Sequence, residues 1–240
     1  MQTFVLIPGA WSGGWIWDLV AERLRSLGHS VRQVTLPGLE SGYSPVADIG
    51  LAEHVDAVVE ILNADDLRDV VLVAHDYGGI VAGIVAGRIP ERVAHTVFVE
   101  AFLPHEGASM LESFPATQQR EEAALIAEHG GRWPVPDPEV IGEGQDLSPR
   151  QVTWIAGSAV GHPGRTLTEP ARLTRPLADL SATYVVCAMN HVEGLLAPDV
   201  EAMRAHWSFR VMKTGYWPMI SAPDALADVL VSARRRHQEG

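Results

Sequence analysis

Apolar residues along this chain follow two alternating rhythms. The runs Thr3–Ile7, Val31–Leu36, Val70–Ala74 and Val93–Phe102 read as strands. VVLVA at Val70–Ala74 is continuously apolar, the mark of a central parallel strand covered on both faces. Between the strands lie segments with apolar residues at helical spacing. In Gly14–Leu27 these are Trp17, Val20, Leu24 and Leu27, with Gly28 as the stop. Leu51–Leu62 is amphipathic, and Gly79–Arg88 is halted by Pro90. The alternation resumes with Thr183–Ala188 (strand), Ala197–Ala205 (helix), Ser208–Met212 (strand) and Ala222–Arg234 (helix). This order predicts an α/β protein built on a doubly wound, mostly parallel sheet. From Leu103 to about Leu180 the rhythm breaks. Prolines cluster at Pro134, Pro136 and Pro138, Glu143-Gly144-Gln145 reads as loop, and the helices expected are Ala116–His129 and Ser148–Gly157. Residues 1–103 and 181–240 are therefore assigned to the core, and 104–180 to a small, mainly helical cap over the C-terminal edge of the sheet.

The strand Val70–Ala74 runs into a sharp turn at His75–Gly79 and then a helix that begins with small residues. Gly78 and Gly79 let that helix start hard against the strand. This is the setting of a nucleophile elbow, where G-x-S-x-G lifts one side chain above the sheet edge. Here the five residues are Ala74-His75-Asp76-Tyr77-Gly78, with a carboxylate at the centre.

Composition narrows the function classes. A net charge of −12 argues against nucleic acid or an anionic membrane as partner. The single cysteine, Cys187, excludes an intrachain disulfide framework and fits a reducing compartment. The opening MQTFVLIPGAW has no basic flank and reads as a first strand, not a signal peptide. No apolar run reaches membrane-spanning length. A soluble, cytoplasmic chain is expected, with a homodimer as the assembly to consider. PGAWSGGW lacks the G-x-G-x-x-G fingerprint, and no spacing of His, Cys, Asp and Glu suggests a metal, so no cofactor is expected. The basic cluster Arg234–Arg236 suits the end of the last helix.

With these segments in hand, the chain resembles the α/β-hydrolase superfamily, in its branch of small esterases and hydroxynitrile lyases. FVLIPGAWSGGWIWDLVAERLRSLGHSV is similar to that branch's oxyanion loop and Trp-rich helix, TLPGLESG to its second strand exit, LVAHDYGG to its elbow. TVFVEAFLP and TGYWPMISAPDALADVL are similar to its strand into the cap and its C-terminal loop and helix. The resemblance implies a Ser-Asp-His triad, and three positions depart from it. The nucleophile position holds Asp76, the acid position Asn190, and the base position Tyr216. The backbone N–H groups of Ala10 and Tyr77 correspond to the family's oxyanion hole.

An elbow aspartate resembles haloalkane dehalogenases and epoxide hydrolases, in which it attacks carbon and a histidine-activated water opens the ester. Tyr216 is a poor base, since an unperturbed phenol costs roughly 4 kcal/mol to deprotonate at pH 7. Asp76 as base and Tyr216 as proton donor therefore suggest non-hydrolytic acid–base chemistry: elimination, dehydration, isomerisation or cyclisation. The alternatives are a hydrolase with Asp76 as nucleophile, opening an epoxide, halide or lactone, and an inactive ligand-binding relative. Glu100, at the end of the strand entering the cap, is a further acid candidate, with polar packing as its other reading. Asn190 reads as a turn residue or a catalyst, and Glu193 as a stand-in acid. His105 and His191 are the replacement bases to consider, while His75 should point away from the pocket. Trp11, Trp15, Phe102, Phe114, Trp154 and Trp217 fall where they can line it, with His105 at the cap entrance. Such a cavity suits a small hydrophobic substrate, aromatic or polyketide-like, over a sugar or phosphate.

Overall fold

The computed structural model describes residues 1–190 and 196–233. Thr3–Ile7 forms β1, and a single 3₁₀ turn at Gly14–Trp17 leads into α1 (Asp18–Ser26). There follow β2 (Ser30–Gln33), α2 (Leu51–Ala64), β3 (Val70–Asp76), α3 (Gly78–Arg88) and β4 (Val93–Ala101). The next segment carries α4 (Ala116–Glu128), β5 (Arg132–Trp133), α5 (Pro138–Gly142), α6 (Pro149–Ser158), β6 (His162–Pro163) and α7 (Arg165–Thr168). The chain returns with β7 (Ala182–Cys187), α8 (Pro198–Ala202), β8 (Ser208–Met212), α9 (Pro218–Ser221) and α10 (Pro223–Ala233). Arg234–Arg236 lie outside the described residues.

Six strands pair in the order β2-β1-β3-β4-β7-β8, every pair parallel. Alternate side chains of a strand point to opposite faces, and both faces here are buried. Phe4, Leu6, Val71, Val73, Val97 and Val99 pack with Val20 and Leu24 of α1 and Leu226 and Leu230 of α10. Val5, Ile7, Leu72, Ala74 and Phe98 pack on the other side with α2 and α3. β1 sits between β2 and β3, so the winding direction reverses at the carboxyl ends of β1 and β3. That crevice is where open α/β sheets bind ligands.

Several boundaries differ from the pattern-based expectation. β2 stops at Gln33, not Leu36, because Thr35 Oγ1 accepts from Gly14 N (2.9 Å) and the Gln33 amide donates to Gly14 O (2.9 Å). These bonds turn the edge strand onto the Gly13–Gly14 loop. β3 runs on through Asp76, and α3 starts at Gly78, so the elbow turn is tighter than His75–Gly79. The antiparallel pair β5–β6, with Trp133 opposite His162, has no counterpart in the sequence pattern, since two-residue strands carry no periodicity.

Residues of the 104–180 segment are tied to the core by specific bonds. Trp11 N donates to His162 Nδ1 (3.3 Å), Trp11 Nε1 to Trp133 O (3.1 Å), and Leu51 N, at the start of α2, to Glu169 Oε2 (2.8 Å). Glu169 thereby places a carboxylate on an unpaired N–H at a helix N-terminus, where negative charge is favoured.

Candidate functional site

At the end of β3, Asp76 holds φ at +51°, a left-handed conformation that costs a non-glycine residue roughly 1–2 kcal/mol. Such strain concentrates at functional sites. Three contacts keep the elbow closed. Phe102 N donates to Asp76 O (3.1 Å), locking the turn to the end of β4. A Cβ on Gly78 would stand 2.5 Å from Pro8 O, so only glycine admits the loop after β1. A Cβ on Gly9 would lie 2.6 Å from Asp76 Cβ and 2.7 Å from its Oδ2. That close approach brings Ala10 N within 2.8 Å of Asp76 Oδ2.

Tyr216 arrives from the loop after β8, far away in sequence. Its hydroxyl donates to Asp76 Oδ1 at 2.5 Å. The loop is held by Gln145 and Asp146: Tyr216 N donates to Gln145 Oε1 (2.6 Å) and Gly215 N to Asp146 Oδ1 (2.9 Å). Beneath it, His75 is fully buried with Nε2 2.9 Å from Tyr216 O, and burial lowers its pKa. Burial first, then the neighbouring Asp76 charge, raises the Tyr216 pKa well above the ordinary phenol range. Tyr216 therefore keeps its proton and acts as a donor, while both Asp76 oxygens accept. Among the described residues, no imidazole nitrogen is hydrogen-bonded to the Asp76 carboxylate. His191 and Glu193 lie outside the described residues.

The Ala10 N–H, expected to face an anionic intermediate, is occupied by Asp76 itself. The reason is steric. Gly9 lets the loop close onto a side chain longer than serine. Tyr77 stands at the N-terminus of α3, its ring buried beneath the elbow. There the Tyr77 hydroxyl pairs with His54 Nδ1 (2.9 Å), and His54 Nε2 with Pro37 O (2.9 Å). Since only the second nitrogen faces a carbonyl, it carries the proton, and Tyr77 donates to the first. Desolvation pushes the His54 pKa down to about 4 and that of His162 well below its usual value.

A cavity of about 600 Å³ opens above Asp76, bordered by Trp11, Trp15, Phe102, Phe114, Trp217 and Tyr216 among others. A second, of about 520 Å³, lies beyond Phe102, Met110 and Tyr216, which border both. Glu100 and His105 border this second cavity. Glu100 also takes a positive φ (+43°) and accepts from Cys187 N at 2.7 Å, and His105 pairs with Asp199 (3.2 Å). Asn190 and Trp154 border neither cavity. Trp154 is 41% exposed and meets Trp15 edge to face.

Residues at the site that were not singled out from sequence include Gly9, Gln145, Asp146, Glu122, Asp137 and Trp133. Gly9 follows a strand as many turn glycines do, so its distinctive property, contact with Asp76, is invisible locally. Gln145 sits in a stretch that reads only as loop. Trp133 and Glu122 border the Asp76 cavity, and Trp133 Nε1 donates to Glu122 Oε2 at 2.5 Å. Its one available signal is a tryptophan heading a proline-rich run.

The profile of the alpha/beta hydrolase family matches residues 4–229. A carbendazim-hydrolyzing esterase from Nocardioides sp. (strain SG-4G) is 36% identical over 125 residues, 52% of this chain and 52% of that protein. Methylesterase 7 of Arabidopsis thaliana is 38% identical over 106 residues, 43% of this chain and 41% of that one. The chain spans about half the length of the curated relatives it matches. An extracellular alpha/beta-hydrolase from a Paenibacillus species, described as sharing structural and functional homology with tobacco salicylic acid binding protein 2, superposes with a TM-score of 0.87. It is 25% identical, with 98% of this chain and 100% of that one covered. These relatives are named as hydrolytic enzymes, which overturns the expectation of elimination, dehydration, isomerisation or cyclisation. Among the described residues, no helix is long and apolar enough to cross a membrane. With a parallel six-stranded sheet, an elbow at the end of its third strand and a family profile matched from residue 4 to residue 229, this chain belongs to the alpha/beta hydrolase family.

Proposed function

We propose that this chain hydrolyses small hydrophobic esters without a serine nucleophile, using Asp76 as a general base on water. In this reading the three triad positions are replaced, with Asp76, Tyr216 and Asn190 standing where serine, histidine and aspartate are usual. The observation that carries it is the bonding of Asp76. Both of its oxygens accept a hydrogen bond, from Tyr216 at 2.5 Å and Ala10 N at 2.8 Å, and the carboxylate borders an aromatic cavity.

The step balances simply. A water oxygen attacks the ester carbonyl carbon while its proton passes to Asp76. The carbon–oxygen bond to the alcohol then breaks, and the proton moves from Asp76 to the leaving alkoxide. Help of this kind contributes about 10²–10⁴-fold. The negative charge gathers on the carbonyl oxygen. The Tyr77 N–H, at the positive end of α3, is the donor suited to it, while the single Tyr216 phenol proton stays hydrogen-bonded to Asp76 Oδ1 and orients the carboxylate. A nucleophilic Asp76 would leave an acyl- or alkyl-enzyme with no imidazole bonded nearby among the described residues to open it, which favours direct attack by water.

The test is hydrolysis of phenyl acetate and larger aryl esters in ¹⁸O-water, with Asp76→Asn as the control. Loss of turnover in Asp76→Asn, with ¹⁸O in the product acid on the first turnover and none in the protein, supports the reading. Heavy oxygen appearing in the Asp76 carboxylate, or full activity in Asp76→Asn, overturns it.

A further inference from the structure

The Asp76 cavity is bordered by a charge pattern that its aromatic character alone does not explain. Besides Asp76 it carries two more carboxylates, Glu122 and Asp137, and among its described lining residues there is no lysine or arginine. Of the guanidiniums next to lining residues in sequence, Arg132 donates to the carbonyl oxygens of Gly38, Ser44 and Gly161, and the exposed Arg120 lies beside Thr117 Oγ1 (3.5 Å).

The carboxylates stand beside electron-rich rings. Trp11 and Trp133 pack with centroids 4.1 Å apart, and Phe114 adjoins Trp133 at 6.5 Å. The Glu122 carboxylate accepts the Trp133 indole N–H at 2.5 Å. An indole that donates its proton to an anion gains negative charge over its face, and that face is what attracts a cation. Helix α4 supplies the geometry, with Gln118, Glu122 and Leu125 at helical spacing along the cavity. An anionic substrate would meet three like charges there and no counter-charge. A neutral one would use Asp76 as base but draw nothing from the charge of Glu122 or Asp137.

We propose that this cavity selects substrates bearing an organic cation, a protonated or quaternary amine on a hydrophobic skeleton, held against Trp133 and Trp11 with Glu122 and Asp137 as counter-charges. The assignment rests on the reading of this cavity as the substrate site, and makes the substrate an amine-bearing ester.

Binding tests it without turnover, so its failure is distinguishable from failure of the hydrolase reading, which is judged on Asp76→Asn kinetics. The probes are phenethyltrimethylammonium, its uncharged tert-butyl isostere 3,3-dimethylbutylbenzene, and 3-phenylpropanoate. Each is titrated calorimetrically into the wild type, Glu122→Gln and Asp137→Asn in low-salt buffer at neutral pH. The expected result is an ammonium probe bound about tenfold more tightly than its isostere, the span that a desolvated cation–π contact gives. The carboxylate probe should bind weakest. The ammonium preference should fall about three- to tenfold in each variant while the isostere's affinity stays put. Asp137 is exposed, so its variant still reports if Glu122→Gln disturbs Trp133. An isostere bound as tightly as the ammonium probe overturns the proposal. So does tightest binding of the carboxylate, or an ammonium preference unchanged in both variants.

Discussion

Gly9→Ala and Gly157→Ala make the same chemical change, and only the first should destabilise and slow the protein. At Gly9 the added methyl carbon would stand 2.6 Å from Asp76 Cβ, 2.7 Å from Asp76 Oδ2 and 3.0 Å from His75 Nδ1. Two of these are inside any tolerated carbon contact, and none is the free end of a long side chain. The loop after β1 must therefore back away by several tenths of an ångström. The first casualty is the 2.8 Å bond from Ala10 N to Asp76. Overpacking costs about 1–3 kcal/mol, and a lost bond to a charged group about 1.5–3 kcal/mol. Either effect alone gives a Tm lower by at least about 2 °C in a chain of this size, at roughly 2–4 °C per kcal/mol. With Asp76 as the proposed base, a 1 Å misplacement can cost about 10²-fold, so kcat/KM on an aryl ester should fall at least about tenfold. At Gly157, in the exposed stretch of α6, a Cβ meets nothing within 4 Å. Alanine there should be neutral or raise stability by up to about 1 kcal/mol, with kcat/KM unchanged. The assays are differential scanning calorimetry and initial rates on the same preparations. Equal Tm and equal rates in the two variants would refute the close-approach argument.

Two further predictions follow from the same site. Tyr216→Phe keeps the ring and removes the 2.5 Å donor to Asp76; kcat/KM should drop about tenfold or more, the worth of a hydrogen bond to a charged group. Because Asp76 borders a cavity that water can enter, Tm should move by less than about 4 °C, and an undiminished rate would remove Tyr216 from the mechanism. The second concerns pH. Burial holds the His54 pKa at about 4, so below the unfolded value near 6.5 the unfolded chain binds a proton that the folded one refuses. Stability is thus whole above pH 6.5 and is lost as pH falls toward 4, by about 2 kcal/mol at pH 5 from His54 alone. His75 and His162, also lowered by burial, add in the same direction. Urea unfolding at pH 7.5 and pH 5 checks this, and an unchanged midpoint would contradict the burial of neutral imidazoles.

The order of strands and helices was legible in the chain because it rests on local periodicity. The elbow was legible because a tight strand-to-helix turn needs small residues at fixed offsets, and Gly78 sits where Pro8 O allows no side chain. Those same five residues put Asp76 at the apex. What surrounds Asp76 depended on loop paths that no local pattern encodes. Tyr216 is 140 positions away, and only the folding of the loop after β8 against Gln145 and Asp146 brings its hydroxyl to the carboxylate. The occupation of the Ala10 N–H by Asp76, the Trp133–Glu122 pair and the β5–β6 ladder are equally products of packing between distant segments. Reaction class lay beyond the residue types as well. A carboxylate beside a phenol can serve as base towards an O–H or towards an activated C–H, so those two residue types by themselves do not select the reaction.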